Sequence, residues 1–91
     1  MGVTIRVPTI LRAHTAGAGS VEGSGSTLGE LLADVESRYP GLARGVLGDD
    51  GGLHRFVNVY VNDEDVRYLS ALDTPVKEGD VVSILPAVAG G

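Results

Sequence analysis

Residues 3–7, VTIRV, alternate strictly, with Val3, Ile5 and Val7 on one side and Thr4 and Arg6 on the other. Period-two alternation marks a strand with one buried face, and Pro8 closes that strand or confines it to an edge. Gly and Ser dominate AHTAGAGSVEGSGS, a composition of loops around a short second strand near Ser20–Glu22. At Thr27 the period changes. Leu28, Leu31, Leu32, Val35 and Tyr39 recur at helical spacing and make one apolar stripe. Thr27 and Glu30 predict a capping box, each side chain accepting from a backbone N–H that the first turn leaves free. Asp34 and Arg38 form an i,i+4 pair on the polar side, and Pro40-Gly41 stops the helix.

Residues 41–52 read as a flexible connection with room for a short helical turn. FVNVYV (56–61) is β-branched and aromatic, a strong strand signal. Asn62-Asp63-Glu64-Asp65 reads as a turn, Val66–Tyr68 as a short strand, LDTPVKEGD as turns around Pro75 and Gly79, and VVSIL (81–85) as the final strand. One amphipathic helix needs one sheet face to cover, and alternating strands supply it. The predicted fold is therefore α+β: a mixed sheet of four to five strands rolled on one main helix, with the first and last strands side by side in the middle. Alternation turns Val57, Val59, Val61, Val82 and Ile84 toward the core and Phe56, Asn58, Tyr60, Ser83 and Leu85 away from it. Phe56, Tyr60 and Leu85 then make an exposed patch with aromatic anchors, the expected partner-binding face opposite the helix.

Composition narrows the chemistry. Ninety-one residues, 43% hydrophobic and 21% charged, are ordinary for one small soluble domain. With no cysteine there is no disulfide, no thiol nucleophile and no soft metal ligand. The formal net charge of −5 works against nucleic-acid binding and points to a partner with a positive surface. No apolar run is long enough to span a bilayer, the start lacks a signal-peptide pattern, and Arg6 stands where a myristoylation site needs Ser or Thr. A cytoplasmic protein without membrane contacts is expected. Gly17, Gly19, Gly23 and Gly25 are not followed by the Lys-Ser/Thr of a phosphate loop, so they read as hairpin-loop residues. His14 and His54 lack metal-ligand spacing. Asp49-Asp50 and Asp63-Glu64-Asp65 lack the pattern of a calcium loop and read as solvated turns, and no nucleophile-elbow context points to a hydrolase.

The end, LPAVAGG (85–91), carries the functional signal. Glycine weakens regular structure by roughly 0.5–1 kcal/mol relative to alanine, so two terminal glycines mark either an idle tail or a segment that enters a space with no room for side chains. Pro86 to Gly91, fully extended, span about 20 Å. Pro86 stiffens the exit, Ala87 and Ala89 are small, and Gly90 and Gly91 have no Cβ.

With Val61-Asn62, Glu78-Gly79-Asp80, the run Val81–Leu85, Pro86 and the terminal Gly90-Gly91, the chain resembles the ubiquitin-like sulfur carriers of the MoaD/ThiS family, which have the β-grasp fold. PTILRAHT, LHRFVNVYVNDEDVR and LPAVAGG look most like the branch serving thiocarboxylate-dependent cysteine biosynthesis. Related branches serve molybdopterin, thiamin or thiosugar pathways. Molybdopterin carriers often have bulkier apolar residues where this chain has Ile84-Leu85-Pro86-Ala87. The resemblance implies a β-grasp domain over residues 1–85 and a flexible tail over 86–91. It also implies that an E1-like activating enzyme of the MoeB/ThiF type, using ATP and Mg²⁺, adenylates the Gly91 carboxylate, which then becomes a thiocarboxylate. Pro86, Ala87, Val88, Ala89 and Gly90 would thread into that enzyme. The sulfur would pass to a synthase such as a cysteine synthase, or a thiosugar or thiazole synthase, and a metalloprotease would release the product in the cysteine branch. On this reading the protein is no enzyme and holds no cofactor of its own. A ubiquitin-like protein modifier, or a binding module without sulfur transfer, is the alternative reading of the same end.

Overall fold

The structure, a computed structural model, describes residues 2–48, 52–54 and 57–86. Strands β1 (Val3–Arg6), β2 (Ser20–Gly23), β3 (Val57–Val61), β4 (Glu64–Asp65) and β5 (Val81–Pro86) form one sheet in the order β2-β1-β5-β3-β4. β1 and β5 lie parallel in its centre, with Thr4, Ile5 and Arg6 opposite Val81, Val82 and Ser83. Every other strand pair is antiparallel. One helix, α1 (Leu28–Arg38), covers one face, which makes the molecule a β-grasp roll. No helix among the described residues is long and apolar enough to cross a membrane.

The helix forms where the period predicts it. Leu28, Leu31, Leu32 and Val35 are fully buried against Val3, Ile5, Val59, Val82 and Ile84 of the sheet, and Tyr39 packs at the margin of this core. Thr27 Oγ1 accepts from the Glu30 N–H at 3.2 Å. The Glu30 carboxylate reaches one residue further back than a capping box does, to the Ser26 N–H at 2.9 Å, while Thr27 itself bridges to Pro75.

Asp34 and Arg38 do more than support their own helix. They pair at 3.0 Å, Asp34 also accepts from the Ser24 N–H at 2.8 Å, and Arg38 donates to the Glu22 carbonyl at 2.7 Å. The Ser24 N–H first, and then Arg38, hold the Asp34 carboxyl below its usual range. The ion pair thereby ties α1 to the outer strand. Gly23 permits that approach, because a Cβ there would lie 2.6 Å from Val35 Cγ1 and 2.8 Å from Leu31 Cδ1.

Five segments differ from the sequence reading. Thr9–Thr15, left without an element in that reading, is a 3-10 helix that buries Leu11 and Thr15. The expected connection after α1 contributes Leu42, Ala43 and Val46 to the core and holds a 3-10 turn at Ala43–Gly45; its residues 49–51 lie outside the described residues. Only Asn62 and Asp63 form the turn after β3, both left-handed with φ of 51° and 73°, as a two-residue hairpin requires. Glu64 and Asp65 therefore already pair with β3. Val66–Tyr68, expected as a strand, is a 3-10 turn, because the Asp65 carboxylate caps it by accepting from the Arg67 N–H at 2.9 Å. β5 also runs one residue longer than predicted, so Pro86 closes the strand opposite Val57.

Truncating the centre of the helix stripe checks this packing. Leu31→Ala is expected to lower unfolding free energy by about 2–5 kcal/mol in urea titrations, and a negligible loss would contradict the core assigned here.

Candidate functional site

The candidate site has two parts: the strand that leads to the C-terminal segment, and the open sheet face beside it. β5 starts at a clamp. Asp80, 8% exposed, accepts from the Asn62 side-chain amide at 3.0 Å and from the Lys77 N–H at 2.9 Å. Asn62 Oδ1 accepts from the Val81 N–H at 3.0 Å, and the Asn62 N–H donates to the Val81 carbonyl at 2.9 Å. Gly79 turns into this arrangement with φ of +91°, a conformation glycine adopts without strain. The motif fragments Val61-Asn62 and Glu78-Gly79-Asp80, distant in sequence, are thus one structural unit that decides where β5 begins. The Asn62 amide is the main cause that holds the Asp80 carboxyl below its usual range; the Lys77 N–H and charge act in the same direction, against a burial that raises it.

On the face away from α1, the register aligns Ser20, Arg6, Ser83, Tyr60 and Asp65 across the five strands. The predicted alternation of β3 and β5 is observed: Val57, Val59, Val61, Val82 and Ile84 are buried, Tyr60 is half-buried, and Leu85 is 50% exposed. Tyr60 and Leu85 meet Arg6, Asp63 and Ser83 around a hollow of about 300 Å³. Phe56, the third residue expected there, lies outside the described residues, as do Ala87, Val88, Ala89, Gly90 and Gly91. Pro86 is placed by its pairing with Val57.

Sequence reading missed several residues of this region. Arg67 holds the start of β3, donating to Asn58 Oδ1 at 2.6 Å and to the carbonyls of His54 and Val57 at 2.8 and 2.7 Å. Ile10, 68% exposed, borders the open face near Leu85, but it sits in a segment whose 3-10 period leaves no clear apolar pattern. The glycine-rich stretch serves the fold: Gly17 takes φ of +87° in a turn, and Gly23 lies under α1. His14 packs on Gly41, where a Cβ would stand 2.6 Å from its Nδ1. Among the described residues no group of three or more His, Cys, Asp or Glu could hold a metal ion.

Comparison with known proteins gives the following. The ThiS family matches residues 5–91. The sulfur carrier protein CysO of Mycobacterium tuberculosis is 54% identical over 93 aligned positions that cover the whole of both chains. One chain of the crystal structure of the Amycolatopsis orientalis BexX/CysO complex is 55% identical, covers 98% of this chain and 99% of its own, and superposes with a TM-score of 0.91. Small archaeal modifier protein 3 of Haloferax volcanii is 42% identical over 66 residues, 72% of this chain and 71% of its own.

The clamp generates a pH dependence. A carboxyl whose native pKa is depressed contributes stability above its unfolded value of about 3.9 and loses it as pH falls through the lower native value. Urea midpoints followed from pH 6 down to pH 2 are expected to fall less steeply in Asp80→Asn than in the wild type, and parallel profiles would mean that Asp80 does not contribute to the acid sensitivity.

Proposed function

This chain belongs to the ThiS family, and from that premise we propose that it is a cytoplasmic sulfur carrier, a co-substrate of partner enzymes rather than an enzyme. An activating enzyme of the MoeB/ThiF type binds ATP and Mg²⁺. The Gly91 carboxylate attacks the α-phosphorus, and pyrophosphate leaves. A sulfur donor then displaces AMP from the acyl adenylate, which leaves a thiocarboxylate on Gly91. The sulfur passes to an acceptor synthase, with a cysteine synthase first among the candidates and thiosugar or thiazole synthases as the others. In the cysteine case a metalloprotease releases the product.

The observation that carries this reading is the placement of β5. It runs clamped at its start through the centre of the sheet to Pro86. Five residues, AVAGG, follow it, and an extended segment of that length reaches about 16 Å. That suffices to carry a small terminal acyl group into a partner's active site while the folded domain stays outside. The full-length likeness to the Mycobacterium tuberculosis sulfur carrier supports the same reading. The relative found in a BexX/CysO complex supports assembly with a second protein. Tyr60, Leu85 and Phe56 are the proposed docking residues. The likeness to a Haloferax volcanii modifier protein favours a second reading, in which the same terminus is joined to protein lysines.

The experiment incubates the chain with a ThiF-type enzyme, ATP, Mg²⁺ and sulfide, and then fragments the C-terminal peptide. Intact mass does not suffice, because exchange of oxygen for sulfur mimics methionine oxidation. Sulfur on Gly91 is expected. An unmodified Gly91 beside an enzyme active on its own carrier would overturn the reading, and Gly91 found in isopeptide linkage would favour the modifier. Adding one residue after Gly91 is expected to abolish loading without changing the melting temperature. Leu85→Ala is expected to raise KM for the activating enzyme while leaving the melting temperature nearly unchanged, since the side chain is half in solvent. The opposite ranking would assign Leu85 to the core.

A further inference from the structure

Beside the site described above lies a groove whose charge runs against that of the whole chain. β1 stops before Pro8, which has no N–H to continue the ladder, and the chain turns into the 3-10 segment Thr9–Thr15. This leaves a groove of about 660 Å³ alongside Ile84 and Leu85. Pro8, Ile10 and Leu85 give it an apolar rim. Ile10 and Leu85 are two of the four large apolar side chains exposed among the described residues. Among the described residues, the charged groups that line it are two guanidiniums, Arg6 and Arg12, and no carboxylate.

The two arginines differ in what they already do. Arg12 Nε donates to the Val7 carbonyl at 3.1 Å, which holds the turn to β1. Arg6 is exposed and has no hydrogen-bond or ion-pair partner among the described residues, in a chain with twelve carboxylates to seven Lys and Arg. Asp63 shares the adjoining hollows with Arg6 yet stays beyond ion-pair distance. A free guanidinium presents a planar fork that takes a carboxylate through two charge-assisted hydrogen bonds, and arginine beside apolar surface is typical of interface centres.

We propose that this groove receives a segment of the activating enzyme that lays apolar side chains against Ile10 and Leu85 and sets a carboxylate on Arg6. The inference rests on the carrier reading and specifies its partner. It also reverses what net charge implies, because a chain at −5 points to a basic partner, whereas this groove is complementary to an acidic one.

Pyrophosphate release by a ThiF-type activating enzyme, measured against the concentration of full chain, tests it with wild type, Arg6→Gln and Arg6→Lys at several salt concentrations. Arg6→Gln is expected to raise KM about tenfold, the scale of one charged hydrogen bond, with kcat changed by less than about twofold. Arg6→Lys keeps the charge without the fork and recovers part of that loss. Salt raises the wild-type KM toward that of Arg6→Gln. The melting temperature of Arg6→Gln stays at the wild-type value, because no partner among the described residues is lost. An unchanged or lower KM in Arg6→Gln overturns the inference, as does an unchanged KM with lost self-association in sedimentation, which would assign the groove to a second copy of the chain. Failure of wild type to be adenylated by an enzyme active on its own carrier overturns the carrier reading, and this inference with it.

Discussion

The rest of the structure depends on the parallel pairing of the first and last strands. Parallel strands cannot be joined by a tight turn and need a long crossover. Here the crossover is nearly the whole chain: β2, α1, the apolar connection after it and the β3–β4 hairpin all lie between β1 and β5. Closing that pair requires everything between to be folded in place. The apolar faces of β1 and β5 then carry Ile5, Val82 and Ile84 into the centre of the core under α1. The same pairing sets the end of β5 in the middle of the sheet rather than at an edge, which gives a proposed carrier terminus a rigid base.

Two polar devices fasten other elements to this sheet, and each joins residues far apart in sequence. Asn62 and Asp80 link the β3–β4 turn to the start of β5, and their hydrogen bonds are aimed at each other and at the backbone of Lys77 and Val81. Asp34 and Arg38 bind α1 to the outer strand through Ser24 and Glu22. These are a few contacts near the surface, where solvent screens charge, so apolar burial supplies the bulk of the stability. These contacts choose among the ways a short apolar sheet could slide, since a one-residue slip would turn every buried valine outward. Among the described residues, the open face has no such internal ties at Arg6, Ile10 and Leu85, where contact with another molecule is available.

Much of the fold was legible because it rests on local periods. Strict alternation in VTIRV and FVNVYV, the helical stripe from Leu28 to Val35 and the Thr27 cap are properties of short windows, and the strands and helix formed there with the expected inward faces. The placement of Tyr60 and Leu85 on the open face followed from the same alternation. The signals that misled were also local. Asn62-Asp63-Glu64-Asp65 reads as four turn residues, yet two left-handed residues suffice to reverse the chain, which frees the other two to pair. Val66–Tyr68 has the composition of a strand, but the Asp65 carboxylate captures the next backbone N–H and winds it. Thr9–Thr15 and the 43–45 segment are 3-10, a geometry with too short a run to leave a readable stripe.

By itself the sequence determined the order of the main strands and the helix, their inward faces, and the family to which the chain belongs, because each is written in residue types and their spacing. Only the tertiary structure decided that Asn62 meets Asp80, that Gly23 lets the helix settle on the outer strand, and that Arg6 stands beside Ile10 and Leu85 with no partner among the described residues. Those facts depend on which residues the sheet register brings side by side. Register is a collective outcome of packing all the elements at once, and no short window of sequence contains it.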